Sequence, residues 1–67
     1  MTVGQRIIQY RNAAGLSQRA LAIKCDLTSP AINQYESGKR TPDLRSFVAI
    51  CRTLEVSMDI FIKDIAI

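Results

Sequence analysis

Residues 15–38 read GLSQRALAIKCDLTSPAINQYESG, and this stretch decides the fold. Gly15 suits the left-handed backbone that stops a helix. Ser17 is a helix-capping residue type. From Gln18 to Cys25 the residues Leu21, Ala22 and Cys25 recur on one helical face. Ala20 stands three positions after Ser17, so no reciprocal capping box forms there. Only Asp26 and Leu27 separate this helix from Thr28 and Ser29, both capping types. Pro30 fits a first helical turn, where its missing N–H costs nothing. It also biases Ser29 away from helical geometry, so the cap is either Thr28 or Ser29. A second helix then runs to about Glu36 with Ile32 and Tyr35 inward, and Ser37-Gly38 ends it. Two short helices across so brief a connection form a helix-turn-helix. Ala22 is small where they must cross closely, and Leu27 and Ile32 anchor the pair.

Outward from this centre the helical period continues. Val3, Ile7, Tyr10 and Ala14 mark a first helix over Thr2 to Ala14. Beyond Gly38 lies a short basic loop, Lys39-Arg40-Thr41-Pro42, and Asp43 is a candidate cap. Leu44, Phe47, Val48, Cys51 and Leu54 then form an apolar stripe. Val56 packs, Ser57 caps again, and Met58 to about Ile62 makes a short fifth helix. The tail keeps Ile65 and Ile67. No strand pattern or internal repeat interrupts the series. The expected fold is an all-α, compact five-helix bundle, a single domain over residues 1–67 in which residues 62–67 are a short apolar C-terminal tail.

Composition narrows the function. The chain has 67 residues, enough for one small core. Nine Lys and Arg against six acidic residues give a net charge of +3, which favours nucleic acid only weakly. There is no His, and neither Cys25 nor Cys51 has a second ligand pair beside it, so metal and cofactor sites are not expected. Spacing permits a disulfide between the two, but both lie inside apolar helical patterns and read as buried thiols. With no secretory signal or long apolar span, the expected location is cytoplasmic, on the nucleoid when bound to DNA, with no membrane partner. No nucleophile stands beside a base and no phosphate loop is present, so the chain does not read as an enzyme.

The outer face of the helix after the turn carries Ser29, Asn33 and Gln34, with Pro30 and Ala31 beside them. Such a face is polar, short-armed and uncharged. It can enter a major groove and bond base edges, although an ordinary solvated face looks the same in isolation.

The surrounding pattern separates these readings. Gly4-Gln5-Arg6-Ile7, Arg11, Gly15-Leu16-Ser17-Gln18, Leu21-Ala22, Ile32, Tyr35-Glu36-Ser37-Gly38-Lys39-Arg40, Pro42-Asp43-Leu44, Leu54-Glu55-Val56-Ser57 and Phe61 resemble the phage-repressor/Cro-type (Xre-like) helix-turn-helix family at correct spacing from about Val3 to Phe61. The resemblance implies a lambda-repressor-like DNA-binding domain, a homodimer on an inverted-repeat operator, and transcriptional regulation, most often repression. It implies a phosphate contact for Gln18, base contacts for Ser29, Pro30 and Gln34, a capping role for Thr28 with reach to a phosphate, and phosphate or base contact for Asn33. Lys39 and Arg40, with backbone N–H groups near Leu44, would hold the other side of the strand. The Gln34 amide can donate and accept together, which suits the N6 and N7 edge of adenine. Arg11 and Glu36 are expected to form a structural ion pair, and Phe61, Ile62, Ile65 and Ile67 a dimer interface. No small-molecule ligand is expected.

Two positions depart from the family. Asp26 stands where the turn commonly has Gly, so a positive φ is expected on a residue that tolerates it. Pro30 replaces a side chain that could donate, leaving apolar contact, for example to a thymine methyl. The alternative function is a protein-interaction module of the same fold that acts mainly through an antagonist or toxin, which the apolar tail would suit.

Overall fold

The computed structural model describes residues 1–65. Five helices follow in order: α1 (Val3–Ala13), α2 (Gln18–Cys25), α3 (Ser29–Ser37), α4 (Leu44–Thr53) and α5 (Met58–Ile62). There is no strand among the described residues.

Every helix starts on a side-chain cap. Thr2, Ser17, Thr28, Asp43 and Ser57 accept from the N–H groups of Gln5, Ala20, Ala31, Ser46 and Ile60, respectively. Each cap satisfies a donor that the helix leaves open. Thr28, not Ser29, therefore caps α3. At α1 the bond is reciprocal, because Thr2 N–H donates to Gln5 Oε1 at 2.9 Å.

Three of the four connections use one local device. Gly15, Asp26 and Glu55 take left-handed backbone, with φ of 71°, 57° and 57°. The next residue, Leu16, Leu27 or Val56, sends its N–H back to the carbonyl of Arg11, Ala22 or Cys51, at 3.1, 2.8 and 3.0 Å. That bond closes the helix end, and the apolar side chain tucks against the core. The residue after it is the next cap.

The core comprises Ile7, Leu21, Ala22, Cys25, Ile32, Tyr35, Ile50, Cys51 and Phe61. Both cysteines are free, and burial raises the pKa of each thiol. The α4 stripe is rotated from the expected one. Leu44 is 74% exposed, whereas Ser46 and Ile50 are buried beside Cys51. Ser46 was invisible to apolar patterning; it is accommodated because the Tyr35 hydroxyl donates to its Oγ at 3.4 Å. Ala14 also lies exposed, off the α1 stripe.

Phe61 is corrected from interface to core. It is fully buried, stacked on Tyr10 with centroids 5.8 Å apart, and meets Phe47 edge-on at 5.1 Å. Ile65 is half-buried against the same core, and Ile62 remains exposed. Ile67 lies outside the described residues. The Arg6 guanidinium ties α5 to α1 by donating to the carbonyls of Ile60, Phe61 and Lys63, at 3.2, 2.9 and 2.8 Å. This is a cationic cap on a helix C-terminus.

Gly4 is buried where α1 crosses the end of α3. A Cβ there would overlap the backbone carbonyls of Tyr35 and Glu36. Gly4→Ala is therefore expected to destabilise by about 1–3 kcal/mol through overpacking, although Ala ordinarily favours a helix over Gly by about 1 kcal/mol. Asp26→Gly is expected to stabilise by about 1 kcal/mol or less by relieving left-handed strain. Urea unfolding of the two variants should move the midpoint in opposite directions.

Candidate nucleic-acid interface

α3 is held from one side and open on the other. Its inner row, Ile32, Tyr35 and Glu36, is buried. Glu36 is the charged member of that row and meets Arg11 of α1 in a bidentate pair. Arg11 Nε donates to Glu36 Oε2 at 2.6 Å and Nη2 to Oε1 at 3.1 Å. The side chains are only 14% and 4% exposed. Arg11 Nη1 also donates to the carbonyl of Leu16 at 2.9 Å, and the Gln18 amide donates to Glu36 Oε1 at 3.0 Å. The bond to Glu36 raises the Arg11 pKa, against the effect of desolvation. One carboxylate thus joins α1, α3 and the start of α2.

The outer row of α3 follows from helical spacing. Ser29 lies one turn before Asn33, and Pro30 one turn before Gln34. Pro30 and Asn33 are exposed, and Ser29 and Gln34 are half-buried. Thr28 is exposed at the entrance with its oxygen engaged in the cap, accepting from Ala31 N–H at 3.1 Å. Gln18, at the first position of α2, has one amide hydrogen committed to Glu36 and retains another for an acceptor.

Lys39 and Arg40 follow Gly38, whose φ of 83° turns the chain out of α3. Both are exposed. Arg40 folds back: its N–H donates to the Gln34 carbonyl at 3.2 Å, and its guanidinium donates to Gln34 Oε1 at 3.3 Å. The guanidinium also lies over the Tyr35 ring, 5.4 Å from the centroid. Sequence reasoning missed this contact, because no pattern rule links positions across a left-handed glycine. It also missed Arg45, exposed in the first turn of α4. The Asp43 carboxyl is held below its ordinary pKa mainly by the hydrogen bonds from Ser46, with Arg45 and Arg40 nearby adding to the effect. The loop and the start of α4 thus gather Lys39, Arg40 and Arg45. Among the described residues, no group of acidic, Cys or His side chains could hold a metal ion. No described helix is long and apolar enough to cross a membrane.

The helix-turn-helix family matches residues 7–61 of the chain. An uncharacterised HTH-type transcriptional regulator of Bacillus subtilis, YqaE, is 38% identical over 59 residues, covering 88% of this chain and 51% of that protein. The SPbeta prophage-derived regulator YonR of the same organism is 33% identical over 60 residues, covering 90% of this chain and 56% of that protein. The chain therefore spans about half the length of these curated relatives. Among solved structures, the DNA-binding domain of the P22 c2 repressor superposes with a TM-score of 0.90 at 26% identity, covering 96% of this chain and 84% of that one. The biofilm regulator SinR, in complex with DNA, superposes with a TM-score of 0.87 at 28% identity, covering 92% and 100% of the two chains.

Glu36→Gln should leave the Arg11 charge nearly buried without its partner, at a cost of about 3 kcal/mol or more. In a domain of this size that lowers the melting temperature by more than roughly 10 °C. An exposed pair would change it by only a few degrees. Thermal unfolding by circular dichroism distinguishes the two; a shift within a degree of the parent would refute the structural role of the pair.

Proposed function

The chain belongs to the helix-turn-helix family, and we propose on that premise that it is a sequence-specific DNA-binding transcriptional regulator, most simply a repressor. The observation that carries this reading is α3 itself: its buried face is locked through Glu36, and its open face presents Ser29, Pro30, Asn33 and Gln34. A short, uncharged row of this kind fits a major groove, where side chains bond base edges. Gln18, Thr28, Lys39 and Arg40 flank it and supply the phosphate contacts that fix register. The P22 c2 repressor with a synthetic operator, superposing at a TM-score of 0.87 and 27% identity, supports the same assignment.

A single helix of this length offers little contact. The active species is a homodimer whose two α3 helices enter successive major grooves about 34–36 Å apart, on an inverted repeat. Ile62, with exposed Ile60 beside it, is the surface available to a second copy, and Ile65 backs it from the core. The work of the domain is binding and not catalysis, and its place is the cytoplasm, on the nucleoid when bound to DNA.

Titration of operator and scrambled duplexes at two salt concentrations tests the reading. Gln34→Ala should lose about 1–3 kcal/mol on the operator and almost nothing on scrambled DNA. Lys39→Ala should weaken both alike and reduce the salt slope by about one unit. Equal losses on both duplexes for Gln34→Ala would remove Gln34 from base readout. For the dimer, Ile60→Lys combined with Ile62→Lys should shift sedimentation toward monomer with helix content unchanged; an unaltered equilibrium would place the interface elsewhere.

A further inference from the structure

We infer that Pro30 makes α3 a reader of the C5-methyl group of pyrimidines, so that binding strengthens when cytosine at one position of each half-site becomes 5-methylcytosine. The inference rests on the proposed reading of α3 as the helix that contacts bases. It extends Pro30 from contact with a thymine to a response to the modification state of the DNA.

Pro30 is exposed at the second position of α3, one turn before Gln34. A proline has neither a backbone N–H nor a polar side-chain atom. The backbone after it offers no free donor either. Ala31 N–H donates to Thr28 Oγ1 at 3.1 Å, and Ile32 N–H donates to the Thr28 carbonyl at 3.1 Å. What the helix presents at Pro30 is carbon. The ring has no rotamer freedom to lose on contact. Its neighbour Ala31 is half-buried against the core, so this apolar surface is held in place. On the major-groove edge of a base pair the methyl on pyrimidine C5 is the apolar group; the other edge groups are donors and acceptors.

The polar members of the row do not oppose this reading. Ser29, Asn33 and Gln34 can each donate or accept. The bond from Arg40 to Gln34 Oε1 leaves that oxygen a further lone pair. No Lys, Arg, Asp or Glu stands between Leu27 and Tyr35. Thymine and 5-methylcytosine carry the same methyl at the same ring position. They differ at C4, which bears an acceptor in one and a donor in the other. A row able to donate or accept accommodates either group, whereas Pro30 registers only whether the methyl is present.

The test begins by selecting duplexes from a random pool with the wild-type domain, which gives the half-site. Synthetic duplexes then vary each pyrimidine position of both half-sites in turn. One pair compares thymine with uracil opposite adenine, and another compares 5-methylcytosine with cytosine opposite guanine. Within each pair only the methyl differs. At one position the methyl is expected to raise affinity about fourfold per half-site in both pairs, the worth of one buried carbon. Pro30→Ser should abolish both increments there, and Pro30→Val, which keeps an apolar side chain, should retain them. Circular dichroism of the two variants checks that each is folded. An increment that survives Pro30→Ser assigns the methyl to another residue and overturns the inference. A thymine increment with no cytosine counterpart at that position also overturns it. If no methyl matters while operator is still bound more tightly than scrambled DNA, the inference fails and the DNA-binding reading stands. If wild type selects no sequence at all, both fail together.

Discussion

The bidentate pair between Arg11 and Glu36 is the constraint on which the placement of α3 depends. Two charges this far removed from water are costly unless each is fully bonded. Here Arg11 makes three bonds and Glu36 accepts three, the partners coming from α1, the Leu16 carbonyl and Gln18. That requirement is directional, as packing alone is not. Apolar residues such as Leu21 and Ile32 would tolerate small rotations of α3 about its axis. A planar guanidinium against a carboxylate tolerates much less. The row opposite Glu36 is thus aimed by a buried ion pair, and Gly4 sets how near α1 comes to the end of that helix.

Much of the frame was legible because it is written in short local codes. Gly15-Leu16-Ser17, Asp26-Leu27-Thr28 and Glu55-Val56-Ser57 each place a left-handed residue, an apolar plug and a cap in three consecutive positions. The first announces itself by glycine, and the second by the family position of Asp26. Glu55 carries no such mark. A Glu has no particular affinity for positive φ, so its conformation is imposed by Val56 packing and the Val56-to-Cys51 bond. Side-chain identity predicts the turn only where the residue has a local reason to adopt it; at Glu55 the reason is tertiary.

The same boundary separates the other successes from the misses. The outer row of α3 was readable from spacing and polarity. Leu44 and Phe61 were misassigned, and Ser46 and Ile50 left out of the core, because hydropathy says that a residue can be buried and not where the neighbouring helices lie. Ser46 is buried because Tyr35 reaches it, and Phe61 because Tyr10 and Phe47 leave a ring-sized space. The candidate site divides in the same way. Which residues face outward follows from the period of one helix. Which atoms they present does not, because the Gln34 amide is oriented by a residue on the far side of Gly38.

α1 carries a further role that no single helix pair reveals. Toward its C-terminus Arg11 fixes α3, and near its N-terminus Arg6 fixes the end of α5. One helix therefore spans from the proposed reading element to the segment beside the proposed dimer surface. In an α-helix the backbone bonds run along the axis, so α1 transmits position between these points as a stiff strut. A two-fold dimer needs such a strut, because the distance between its two reading helices is the sum of two internal offsets and one interface. Any looseness within a protomer enters that distance twice. With both ends of α1 held by guanidinium bonds, most of the freedom left to set half-site spacing lies at the interface itself, where Ile60 and Ile62 are exposed.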